Sequence, residues 1–179
     1  MQEHILEKLS GPDNIVKKKP RLNILILGPY RPQEAHERLI DVKKYLISKG
    51  YRSTRLAEDF ELPDKTAGAI FRKSRELMEN WGDALFFFFF KEAVDESRII
   101  GVYDEFVTLC ESMPEKIERS VVFIDKEIYD DISAMFKGRI ECFMKDYDLE
   151  VAFLESQEDA KVLAEKRALN ILARFGMFL

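Results

Sequence analysis

Hydrophobic positions along this chain alternate between short continuous runs and longer stretches in which they recur every three or four residues. The most pronounced run is Ala84-Leu85-Phe86-Phe87-Phe88-Phe89-Phe90. Five successive phenylalanines cannot place every second ring in water, so the run predicts a strand buried on both faces, as in the middle of a parallel sheet. Leu22 to Leu27 is a second such run and stops at Gly28-Pro29-Tyr30-Arg31-Pro32, a turn. Ser120 to Asp125 predicts another. Tyr51 to Leu56 alternates with polar residues and suits a sheet edge, while Arg139 to Met144 is read as the fifth strand.

Helical periodicity fills the intervals. Residues 33–48 place Leu39, Val42 and Leu46 on one face, and Lys49-Gly50 closes that helix with glycine. From 64 to 81, Ala67, Ile70, Phe71, Leu77, Met78 and Trp81 form an apolar stripe that also carries Ser74. Val102, Phe106, Leu109, Cys110 and Met113 mark the next helix, which Pro114 ends. A short helix over 129–137, anchored by Ile132 and Phe136, and a final helix over 157–173 complete the pattern.

Strands alternating with helices in a chain of 179 residues predict one α/β domain over 22–179. Its architecture is a three-layer α/β/α sandwich with a mostly parallel five-stranded sheet. Right-handed crossovers around a central phenylalanine strand give the flavodoxin-like order 2-1-3-4-5. The point where that order reverses lies between the first and third strands, where open α/β sheets keep their ligands. Residues 1–21 form an extension in which Ile5, Leu6 and Leu9 line a short helix ahead of Lys17-Lys18-Lys19-Pro20-Arg21. The basic run reads as a solvated lead-in, and the helix as a surface for a neighbouring subunit.

Composition narrows the function. Against 28 Lys and Arg stand 33 Asp and Glu, a net charge of −5, which argues against a nucleic-acid polymer as partner. Cys110 and Cys142 have no Cys or His at metal-ligand spacing, which fits reduced thiols in a cytoplasmic protein and no metal centre. The apolar runs are too short to span a bilayer, which needs about 20 residues per helix. Neither a Gly-x-Gly-x-x-Gly nor a Gly-x-x-x-x-Gly-Lys-Ser/Thr loop occurs, so a dinucleotide cofactor and P-loop chemistry are both disfavoured.

Several residues now fall in an order with a known counterpart. Ile26-Leu27-Gly28-Pro29-Tyr30 after the first strand, Asp59 after the second, and Ala84 to Phe90 followed by a polar loop, Gly101 and Asp104-Glu105 resemble the nucleoside 2-deoxyribosyltransferases. The chain is also similar in plan to the Toll/interleukin receptor-like (TIR-like) nucleotide-binding domains. The resemblance implies a nucleoside or nucleotide ligand, no cofactor, a homo-oligomer, and a catalytic role for Glu105 at the anomeric carbon. Cleaving an N-glycosidic bond builds positive charge on the sugar, which a carboxylate stabilises or captures. A place at a helix start would keep Glu105 ionised through the helix dipole. Substrate contacts are expected from Gly28, Pro29, Tyr30 and Arg31 in the first loop, from Asp59, and from Lys91, Ser97 and Gly101 beyond the phenylalanine strand. The resemblance departs at Ile99-Ile100-Gly101-Val102-Tyr103, where the transferases commonly carry Asp-Gly-Thr. A non-catalytic TIR-like module that binds a ligand or a partner protein is the other expectation.

Overall fold

The structure is a computed structural model that describes residues 22–61, 66–94 and 100–176. The expected amino-terminal helix and basic run lie outside the described residues. Five strands form one parallel sheet: β1 (Ile24–Leu27), β2 (Thr54–Leu56), β3 (Ala84–Phe89), β4 (Ser120–Asp125) and β5 (Glu150–Leu154), in the order β2-β1-β3-β4-β5. Between and after them run α1 (Gln33–Ser48), α2 (Ala67–Asn80), α3 (Ile100–Ser112), the single turn α4 (Lys126–Tyr129), α5 (Ala134–Tyr147) and α6 (Gln157–Arg174). The expected sheet order is the observed one.

The sheet separates two cores. Ile24, Ile26, Phe86, Phe88, Phe90, Val121 and Phe123 pack toward α1 and α6. On the other face Leu25, Leu27, Phe87, Phe89, Val122 and Ile124 pack toward α2, α3 and α5. Every residue of β3 is buried, so the run of phenylalanines splits between the two cores. Phe88 stacks on Phe123 of β4 at 4.5 Å, whereas Phe87 meets Phe106 of α3 edge-on at 5.7 Å and Phe89 meets Phe136 of α5 at 4.8 Å. Such ring pairs add to the gain from burial alone.

Local chemistry sets the helix ends. Ser156 and Asp159 form a reciprocal capping box at the start of α6, and Thr66 accepts from the Ala69 amide at the start of α2. Gly50 follows α1 at φ 95°, a conformation that favours glycine. At Gly28 the requirement is space, because a Cβ there would lie 2.7 Å from Cδ2 of buried Leu39.

Two expectations are corrected. Residues 139–144 are helical, inside α5, and the fifth strand is Glu150–Leu154. Phe136, Ile140 and Phe143 recur at intervals of four and three and join the core, so the helical period wins over the alternating one. In β5, Ala152 and Leu154 face inward and Phe153 is exposed. The second correction concerns α2. Ser74, Leu77 and Met78 are buried as the stripe predicts, but Ile70 is 49% exposed and Phe71 50%.

These burials set unequal costs for truncation. Phe88→Ala is expected to lower unfolding free energy by about 3–5 kcal/mol, and Ile70→Ala to change it by no more than about 0.5 kcal/mol. Urea denaturation of the two variants checks the contrast.

Candidate functional site

In a parallel sheet all strands end on one edge, so the loops after neighbouring β1 and β3 meet there. Gly28 and Pro29 are buried at the end of β1, Arg31 is exposed, and the Arg31–Pro32 peptide is cis. Tyr30 turns toward the loop after β2. Its phenol pKa is raised, first by desolvation and then by the charges of Glu105 and Glu58, while the backbone amides of Ala57 and Glu58 act against the rise. The ring also meets the His36 imidazole edge-on, with centroids 5.6 Å apart. His36 Nε2 lies 2.6 Å from Glu58 Oε1.

Glu105 reaches this group from α3. Ser74, buried on α2, donates a hydroxyl hydrogen bond to Glu105 Oε1. Burial pushes the Glu105 pKa up to about 7 from its ordinary 4.5; the Ser74 bond pulls it back in part, and the charge of Asp104 adds to the rise. The helix-dipole expectation is thereby reversed. Glu105 sits in the second turn of α3 as described, beyond the reach of the first-turn amides, and desolvation decides its state. A carboxyl with a pKa near 7 exchanges a proton at neutral pH, which suits general acid–base work.

The other expected residues divide. Asp59 closes its own turn, accepting from the Leu56 amide at 2.7 Å and pairing with Lys43 Nζ at 2.5 Å. Its oxygens thus hold the chain after β2. Gly101 is exposed, and a Cβ there would meet nothing within 4 Å, so no close approach calls for glycine. Ser97 lies outside the described residues. Lys91 belongs to a separate group with Arg38, Glu92 and Asp125.

Arg38, on α1, is 6% exposed and forks onto Asp125 with bonds of 2.7 and 2.8 Å. A third bond of 2.8 Å goes to Glu92, and the guanidinium lies 3.7 Å over the Phe90 ring. Asp125 also accepts from the Lys91 amide at 2.8 Å, while the Lys91 ammonium pairs with Glu127 at 2.9 Å. These contacts pin α1 and the turn after β3 to the end of β4. Beside them opens a cleft of about 210 Å³ that reaches Ser156 and Gln157. A second cleft, of about 480 Å³, lies between Ile100, Tyr103, Ile132 and Phe136. Glu105 lines neither of these two.

Ser74, His36, Glu58, Arg38 and Asp125 were missed as site residues by sequence reasoning. Ser74 carried a signal, since it is a lone hydroxyl inside an apolar stripe. The pairs His36 with Glu58 and Arg38 with Asp125 are 22 and 87 residues apart and carried none. Cys110 is core: burial pushes its thiol up to about 12, which leaves it unreactive. Among the described residues no cluster of His, Cys, Asp and Glu could hold a metal ion, and no helix is long and apolar enough to cross a membrane.

No protein-family model matches this chain, and no curated protein matches it. The site therefore stands on its own geometry.

Because the folded pKa of Glu105 is raised, ionising it costs folding free energy. The cost is absent below about pH 4.5, grows as pH rises, and is complete above about pH 7. Glu105→Gln should therefore leave stability near wild type at pH 4.5 and raise it by about 1–3 kcal/mol at pH 8. Denaturation curves at the two pH values check this, and equal shifts at both would contradict it.

Proposed function

We propose that this protein binds a nucleoside or nucleotide and acts on its N-glycosidic bond, by transfer to a second base or by hydrolysis. The observation that carries the reading is the Ser74–Glu105 pair, with its proton-exchanging carboxyl beside Tyr30 at the point where the strand order reverses. The sequence resemblance to the nucleoside 2-deoxyribosyltransferases names the same glutamate.

The chemistry follows from the charge balance. The C1′–N bond breaks, its electron pair stays with the base nitrogen, and that nitrogen takes up a proton. Positive charge grows on the sugar ring until an incoming oxygen or nitrogen lone pair bonds to C1′ and the nucleophile gives its proton to the Glu105 carboxylate, which restores the acid. A carboxyl that titrates near pH 7 can give the first proton and, as carboxylate, stabilise the sugar cation. Ser74 sets which oxygen of Glu105 is engaged and leaves the other for the substrate. Tyr30, a phenol that is neutral at pH 7 with or without the rise in its pKa, supplies a hydroxyl donor to a sugar or base atom. Arg31, exposed after β1, would pair with the phosphate of a nucleotide substrate.

Glu105→Gln keeps the size and the Ser74 bond but removes the exchangeable proton. It should lower turnover by about two to four orders of magnitude, with the melting temperature at pH 7 unchanged or raised. Release of free base from a panel of nucleosides, deoxynucleotides and NAD, followed by chromatography, tests this. The reading falls if wild type releases no base above blank, or if the variant matches wild type.

A further inference from the structure

The larger of the two clefts, about 480 Å³, has the size at which proteins hold small molecules, about 300–1,000 Å³. It opens near the edge where the strands end: Val94 follows the turn after β3, Ile100 and Tyr103 lie at the start of α3, and Ile132 precedes α5. Phe136 is buried beneath it, and the Tyr103 ring meets Phe136 edge-on at 5.0 Å. Tyr103 and Glu105 are separated by about 200° around the α3 axis, so Tyr103 turns to α5 while Glu105 turns to α2. The cleft and the Glu105 carboxyl therefore occupy opposite flanks of one helix. The polar end of the cleft is Asp131 and Ser133. Among the described residues Asp131 is the only charged group lining it, and no hydrogen bond or ion pair engages that carboxylate. Lys137, the first cation of α5, is committed to Asp130 instead, donating to its carbonyl at 2.9 Å and lying over the Tyr129 ring at 5.2 Å. The Ser133 hydroxyl oxygen accepts from the Phe136 amide at 3.2 Å, which leaves the hydroxyl proton to be donated.

We propose that this cleft binds a flat aromatic heterocycle carrying two adjacent N–H donors, an amidine-type edge, with the ring against Tyr103, Ile100 and Ile132 and the edge on Asp131. The site is separate from Glu105 and needs no glycosidic bond, so it goes beyond the functional reading above. Each wall excludes a class of ligand. Apolar and aromatic side chains give a hydroxyl-rich sugar little in return for its lost water, whereas a flat ring gains from contact with Tyr103. The Asp131 carboxylate repels an anion. A purely apolar ring would strip water from that carboxylate and return no bond, which is costly. Two parallel N–H donors match its two oxygens and form the stronger, charge-assisted kind of hydrogen bond. The Ser133 proton then serves an acceptor beside those donors.

Titration followed by proton–nitrogen NMR reports both affinity and place. The probes are 2-aminobenzimidazole, which has the ring and the paired donors, and benzimidazole, which has the same ring without the amino group. Wild type is expected to bind 2-aminobenzimidazole about tenfold more tightly than benzimidazole, with the amides of Tyr103 and Ser133 shifting and those of Ser74 and Glu105 unmoved. Asp131 is exposed, so Asp131→Asn should keep the melting temperature and the affinity for benzimidazole while erasing the tenfold preference. Tyr103→Ala should weaken both probes alike. No binding of 2-aminobenzimidazole, equal affinity for the two probes in wild type, a preference that survives Asp131→Asn, or shifts centred away from this cleft would overturn the proposal. Neither probe has a glycosidic bond, so the result is independent of base release: the cleft assignment can stand where the glycosidic reading fails, and fail where that reading stands.

Discussion

The constraint on which the rest of this molecule depends is the burial of β3 on both faces. A strand reading Ala-Leu-Phe-Phe-Phe-Phe needs cover above and below, and only helices on both sides of a parallel sheet supply it. Once helices connect every strand to the next, each strand ends on the same edge and each long helix starts there. Ser74 and Glu105, 31 residues apart, meet because α2 and α3 both descend from that edge on the same face. Nothing local to either helix brings them together.

Two polar groups at the edge of the sheet are handled in opposite ways. The Arg38 guanidinium is nearly sealed from solvent; its two terminal nitrogens make three bonds to two carboxylates and its plane lies on the Phe90 ring, which compensates most of the burial, while its Nε has no partner among the described residues. That cluster holds α1 and the turn after β3 in place, with both oxygens of Asp125 engaged. Among the described residues Glu105 receives one hydroxyl bond, from Ser74, and desolvation dominates its proton affinity. A fully bonded carboxylate is structural, whereas one left with a spare oxygen and a pKa near neutrality is available for chemistry. Asp59 belongs to the first kind, because both of its oxygens are committed to the turn that follows β2.

Much of the fold was legible because burial writes itself into sequence. The runs at 22–27, 84–90 and 120–125 marked three of the five strands, and the order followed from their alternation with helices. The error over 139–144 arose because Arg-Ile-Glu-Cys alternates over four residues and runs into apolar Phe143 and Met144, while the helical stripe needs Phe136 and Ile140 to be counted together. The site was legible only in part. Glu105 and Tyr30 could be placed by their loops, but the partner of each lies on another element, and a pKa set by desolvation is a property of packing. The half-exposed Ile70 and Phe71 looked like core for the same reason, since periodicity gives the direction in which a side chain points and not whether anything meets it.

The claim that carries the account is that the fold holds the Glu105 carboxyl ready to exchange a proton near neutral pH. Its most direct test is the pH titration of the Glu105 side-chain carboxyl by carbon-13 NMR, with Glu105→Gln used to assign the resonance, in wild type and in Ser74→Ala. The account predicts a midpoint near pH 7 in wild type and a higher one without the serine hydroxyl, which lowers it now. A wild-type midpoint near the ordinary 4.5, or no change on removing Ser74, would contradict it.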